Sequence, residues 1–147
     1  MKKVICVVLL LCLFPVISLA DDLDIFMGKF NVLSKHYGAP ELTEEQLQDD
    51  VFTGDGWKLT VEMFAGFYNG AGVYGENTDI FLPMCAQTGM VVVGDYDGSS
   101  LRTFLGDLLY AYMKAKTGEK VPTALFGSYM FSITKQGNGF LFTIKGL

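Results

Sequence analysis

Histidine and cysteine are nearly missing from this chain of 147 residues, which has one His and three Cys. The lone imidazole, His36, excludes a two-histidine zinc site and the H-E-x-x-H arrangement. His36 and Cys85 would be the thiol–imidazole pair of the mature chain, and neither lies in a thiol-enzyme signature. His36 falls at the end of a predicted helix, where an imidazole is usually a surface group stabilised by the dipole. Cationic charge is also short, with 11 Lys and Arg against 16 Asp and Glu. Such a surface repels nucleic acid and anionic lipid, so neither is expected as a partner. No low-complexity tract, linker or internal repeat is present, and one compact domain is expected.

A long apolar run appears only at the start. Lys2 and Lys3, the stretch from Val4 to Phe14, and the small-residue ending Ser18-Leu19-Ala20 read as a secretory signal cleaved before Asp21. The stretch is shorter than the ~20 residues a spanning helix needs, and Pro15 interrupts it, so no membrane anchor is expected after cleavage. The product is placed in the periplasm or outside the cell, with residues 21–147 as a single helical domain of formal charge −7. Cys6 and Cys12 leave with the signal. Cys85 then has no intramolecular partner, and it packs as a small apolar side chain among Phe81, Leu82 and Met84 or bridges two subunits.

Apolar periodicity favours helices. Leu23, Phe26, Met27, Phe30, Leu33 and Tyr37 fall three or four apart, predicting a helix from Asp22 to Tyr37 stopped by Gly38 and Pro40. Thr43 and Gln46 offer a capping box for a short helix over 44–51. Leu59, Met63, Phe67 and Tyr68 extend the helical reading through 57–74, after a turn at 53–56. Met90 to Val93 suggests one short strand. Ser99 or Ser100 caps a helix carrying Leu101, Phe104, Leu105, Leu108, Tyr112 and Ala115, closed by Gly118. The tail reads as a helix over 123–130 and then a hairpin around Gln136-Gly137-Asn138-Gly139. The expected class is mainly α with that hairpin open at the C-terminus, and α+β is the alternative.

The stretch AGFYNGAGVYG, residues 65–75, carries two competing motifs. Gly70, Gly72 and Gly75 spell the dinucleotide fingerprint, with Asp95 near the distance of a ribose-binding acid. That fingerprint needs a strand before it and a helix opening on it, whereas the predicted context is the end of a helix. The favoured reading makes Gly66, Gly70 and Ala71 a small-residue face for close helix packing. In GDYDGSS, residues 94–100, the acids alternate as calcium ligands do, but an EF-hand loop would need glycine where Ser100 stands and an acid where Gly106 stands. A turn at Asp97-Gly98 explains it better. Glu62, between Val61 and Met63, is the acid singled out for a raised pKa. The aromatic stripes, Phe64, Phe67, Tyr68 and Tyr74 and then Phe104, Tyr110 and Tyr112, are read mainly as core, with surplus tyrosines available for a protein partner. No catalytic set, metal set or cofactor follows from these residues.

The order Gly66-Phe67-Tyr68-Asn69-Gly70, then Leu82-Pro83, then a helix holding Leu108 and Tyr112, then a segment led by Pro122, resembles the Rap/Tai immunity family over residues 52–133. Members are small exported helical proteins that protect bacteria from cell-wall amidase toxins. The family's paired cysteines are not matched here, since Glu62, Met63 and Phe64 stand near the first place and Cys85 lies past Pro83. The resemblance implies a helical homodimer that inserts a surface loop into an enzyme's cleft. Tyr74, Glu76, Asn77, Thr78 and Asp79 are taken as the partner-binding loop. The expected function is therefore non-enzymatic: binding and inhibition of an exported enzyme or toxin, with a secreted small-ligand-binding or accessory protein as the alternative.

Overall fold

The computed structural model describes residues 22–147, so the signal expected over 1–20 lies outside the described residues. The first helix, α1, covers residues 22–37 as its apolar spacing predicts. Phe26 and Phe30 are fully buried and Gly38, at φ 81°, ends the helix. A 3-10 turn, Glu44–Gln46, leads to four strands: β1 Leu47–Gln48, β2 Val51–Gly54, β3 Trp57–Phe64 and β4 Phe67–Gly75. Two helices follow, α2 Thr78–Val93 and α3 Gly98–Lys116, and then β5 Ala124–Phe126, β6 Tyr129–Gln136 and β7 Gly139–Gly146. The strands make one sheet in the order β1-β2-β3-β4-β7-β6-β5, antiparallel throughout. The mainly-α, all-helical expectation is overturned, and the fold is α+β.

Each correction has a local cause. Over 57–62 the alternation is Trp57, Leu59, Val61 inward and Lys58, Thr60, Glu62 outward, a period of two that the helical spacing of Leu59, Met63 and Phe67 concealed. Ala65 and Gly66 then take positive φ values of 51° and 84° and turn the chain by the I′ geometry that matches strand twist. The helix expected over 44–51 shrinks to one turn because Asp49 and Asp50 adopt φ 49° and 63° and reverse the chain into β2. Short polar side chains tolerate that region. The capping box of Thr43 and Gln46 is nevertheless present on that turn, with Thr43 N–H donating to Gln46 Oε1 at 3.1 Å. The 123–130 helix gives way to β5, a turn at Gly127-Ser128 and the start of β6, while the hairpin around Gly137-Asn138 stands as expected.

Met90 to Val93 is the last part of α2 rather than a strand, and α2 runs through Pro83. Residues 84–92 of α2 are all buried, so the apolar run fits a helix enclosed on every side. Asp97, not Ser99 or Ser100, caps α3: its Oδ1 accepts from the Ser100 amide at 2.7 Å, and this bond is the main cause holding its carboxyl below the usual carboxylate range. Gly98 is already helical.

The helices lie on one face of the sheet. Leu59, Val61, Ala71, Val73, Phe131, Ile133, Phe142 and Ile144 meet them there, all nearly or fully buried. Close helix packing on glycine does occur, at Gly89 of α2, where a Cβ would overlap the Phe104 ring of α3. Next to it, Gln87 is wholly buried and bonded at both ends of its amide: Nε2 donates to Phe30 O (3.2 Å) and Ser34 Oγ (2.9 Å), and Oε1 accepts from Ala39 N–H (3.0 Å). Cys85 is buried and its thiol is pushed well above its ordinary pKa by that burial, so it packs as an apolar group and cannot reach a second chain.

Thr88, also fully buried, is the exception. Its Oγ1 has no hydrogen-bond partner among the described residues. An unpaired buried hydroxyl is a net cost, and valine has the same shape. Thr88→Val should raise the unfolding free energy by about 1 kcal/mol, read as a higher urea midpoint with unchanged slope.

Candidate functional site

The opposite face of the sheet carries no helix, and its centre is the glycine-rich strand. Outward residues follow from the alternation: Lys58, Thr60 and Glu62 on β3, Gly70, Gly72 and Tyr74 on β4, Leu141, Thr143 and Lys145 on β7. Registered across the sheet they form rows: Glu62, Gly70, Lys145; Thr60, Gly72, Thr143; Lys58, Tyr74, Leu141. The AGFYNGAGVYG glycines are therefore neither a loop that seats an anion nor a ridge between helices. Their strand is paired on both sides, by β3 and by β7, so it offers no fan of free amides to a pyrophosphate.

The two outward glycines differ. At Gly70 a Cβ would come within 2.7 Å of Ile144 O, and the Glu62 carboxylate reaches across it to Lys145 Nζ at 3.9 Å. Gly70 is thus required by close approach. At Gly72 a Cβ would meet only Phe142 O, at 3.7 Å, an ordinary contact. No packing demand explains a glycine in the middle of a central strand, where it costs strand stability. Gly72 leaves a side-chain-free hollow on an exposed face between Thr60 and Thr143. Tyr74 bounds it, its ring lying over Gly139 and its OH donating to Glu76 Oε1 at 3.1 Å. Desolvation first, and then Glu76, raise the Tyr74 pKa, keeping the phenol a donor.

Beyond this hollow the β3–β4 hairpin overhangs its sheet. β2 pairing reaches β3 only as far as Thr60, and β7 pairing begins on β4 at Gly70, so the rungs Met63–Tyr68 and Phe64–Phe67 have no neighbour strand. Asn69 is the extra residue of a bulge there. The bulge turns Tyr68 to the helix side, where its ring meets Phe26 edge-on at 5.5 Å and its OH accepts from Lys29 Nζ at 3.4 Å. Phe64 and Phe67 are left pointing outward at the tip, 73% and 72% exposed. α1 braces the tip from behind, so the two rings are presented on a supported arm.

The five residues expected to bind a partner are placed as follows. Asn77 is the N-cap of α2, its Oδ1 accepting from Asp79 N–H at 3.0 Å. Thr78 bonds the buried Tyr112 hydroxyl at 2.6 Å. Both side chains thus have structural work. Glu76 and Asp79 are exposed, and Tyr74 alone of the five lies on the open sheet face. Tyr74 and the Phe tip sit at opposite ends of the glycine strand. Glu62 is not an enclosed acid: it stands on the solvent side of β3 in the ion pair with Lys145. His36 is exposed at the end of α1. Sequence reasoning missed Phe64 and Phe67 because it placed them in a core stripe; the Ala65-Gly66 turn between them was the available signal.

Comparison with protein-family models, with curated proteins and with solved structures yields no match to this chain.

Proposed function

We propose that the protein binds and inhibits a partner protein in the cell envelope, using the open sheet face and the β3–β4 tip. The observation that carries this is the pair Phe64 and Phe67, each nearly three-quarters exposed at the end of an arm that projects past its neighbours. Large apolar rings stay in water on a well-formed hairpin at a cost of about 1.5–3 kcal/mol each relative to burial. Central aromatic anchors of this kind dominate many interfaces. An arm bearing two rings also suits entry into an enzyme's cleft, which is the mode the immunity-family likeness implies. That likeness supports only the functional half of the reading, since its helical architecture does not apply to this chain. The hollow at Gly72 beside the arm would let partner backbone approach the sheet. A secreted small-ligand-binding or accessory role is the second reading, favoured by a groove of about 290 Å³ between α1 and the end of α2, lined by Val32, Leu33, Met90 and Tyr96.

The test is recovery of a bound protein with the tagged chain from a gentle periplasmic extract. Phe64→Ser with Phe67→Ser should lower affinity for the recovered partner at least 100-fold, with the thermal midpoint nearly unchanged. Gly72→Thr should weaken binding while leaving stability equal or slightly higher, because threonine favours strands and meets open space. Undiminished recovery with both variants would refute the assignment of this face.

A further inference from the structure

The other end of the sheet carries a second, unrelated opening. β5 is short: its pairing with β6 runs only from Phe126–Tyr129 to Ala124–Phe131. β6 continues for five more residues, to Gln136. The two-residue turns at Gly127-Ser128 and Gly137-Asn138 fix which backbone groups face which neighbour, because the residues flanking such a turn exchange both hydrogen bonds. Tyr129 and Phe131 therefore address β5, while Gln136, Thr134 and Ser132 address β7. By the same alternation the N–H and C=O groups of Ile133 and Lys135 point to the side where β5 has ended. Among the described residues no hydrogen bond reaches them on that side. Beside them lies a cavity of about 350 Å³, bounded by the end of α3 at Ala115 and by Gly118, Lys120 and Val121.

We propose that this groove takes an extended acidic segment of another protein, added to the sheet as a strand beside residues 133–135. An open edge with two unpaired rungs is a template for strand addition, and an adjoining pocket receives a side chain of the added strand. Charge selects the occupant. Lys120 and Lys135 line the groove, and the one carboxylate there, Glu119, is held in an ion pair by Lys114. The carbonyls of Met113, Lys114 and Ala115 in the last turn of α3 are occupied by the amides of Thr117, Glu119 and Gly118, which leaves the lysines as the main charges of the groove. This is a cationic corner on a chain of net negative charge. A second copy of this chain would bring its own Lys120 and Lys135 to the same corner, so self-pairing is disfavoured. The groove is far in sequence from the β3–β4 tip and does not depend on what that tip binds.

The experiment is residue-resolved amide hydrogen exchange on the purified protein, with and without an eight-residue peptide of alternating valine and glutamate. Saturable slowing of at least tenfold at the Ile133 and Lys135 amides is expected, with the other β6 amides unchanged. Lys135→Pro deletes a donor that no ladder bond uses and should abolish that protection at Ile133. Lys135→Gln keeps the backbone and should weaken binding severalfold, so it decides the matter should the proline variant fail to fold. Equal protection by a valine–lysine peptide, or no protection by the acidic one, overturns the proposal. Slow exchange of both amides without peptide, in a particle of twice the chain mass, overturns it in favour of a second copy.

Discussion

Replacing Gln87 with leucine will cost about 2–4 kcal/mol of stability and will loosen α1 more than any other element. The estimate follows from what the amide holds. Ala39 N–H loses its only side-chain acceptor inside a water-excluded region, and the carbonyl of Phe30 and the hydroxyl of Ser34 lose a donor. Leaving a buried group unsatisfied costs about 1–3 kcal/mol, whereas the leucine offsets little, because Gln87 already fills its space. Ala39 lies just past the end of α1 and Phe30 within it, so the amide of Gln87 is the polar fastening between that helix and α2. Urea denaturation reads the loss, and hydrogen exchange of the α1 amides locates it. In a double-mutant cycle Ser34→Ala should cost less on the leucine background than alone. Strict additivity of the two changes would mean that the bond between them contributes nothing.

Gly89→Val will be about as damaging, by at least about 3 kcal/mol, although every propensity argument points the other way. Glycine inside a helix costs about 1 kcal/mol relative to alanine, so a substitution at an open site would help. Here the added Cβ overlaps the Phe104 ring, and that ring cannot retreat. It stacks on Phe126 at 4.2 Å with 6° between planes and meets Phe131 edge-on at 5.1 Å. Forcing volume into a locked aromatic cluster costs about 1–3 kcal/mol even for one methyl group, and valine adds three carbons. Steric overlap therefore wins over propensity, and α2 and α3 must part. Phe104→Leu should recover part of the loss on the valine background while destabilising the unmodified chain. A valine variant as stable as the parent would show that the two helices are not held at this contact.

The residues that were legible in the sequence are those whose neighbours in space are also neighbours in the chain. α1 reads correctly from Asp22 to Tyr37 because its six apolar positions share one face and Gly38 stops it. α3 reads correctly apart from its cap, where Asp97 outcompeted Ser99 and Ser100 for the first free amides. The strand segment 57–74 failed because two periods coexist in it: Leu59, Met63 and Phe67 step by four while Trp57, Leu59 and Val61 step by two. Pairing decides between them, with β2 on one side and with β7, some seventy residues away, on the other, and the only local hint was the Ala65-Gly66 turn. Pro83 does not end α2, since burial of the helix outweighs one missing backbone bond. At the candidate site Tyr74 was named but the bare hollow at Gly72 was not, because a glycine with no steric demand looks, in sequence, like one that has it.

The last of the described strands is an interior strand of the sheet: β7 lies between β4 and β6 and supplies Phe142 and Ile144 to the core. Strands β1–β4 and strands β5–β6 consequently share no ladder until residues 139–146 have left the ribosome. Contacts this distant in sequence form late and slowly. A nascent chain of this design stays open until β7 has been made, a state suited to the proposed passage across a membrane. Loss of residues 139–146 would then leave β4 and β6 with unpaired edges and take Phe142 and Ile144 out of the core, and such a product should be degraded rather than accumulate as a smaller folded protein.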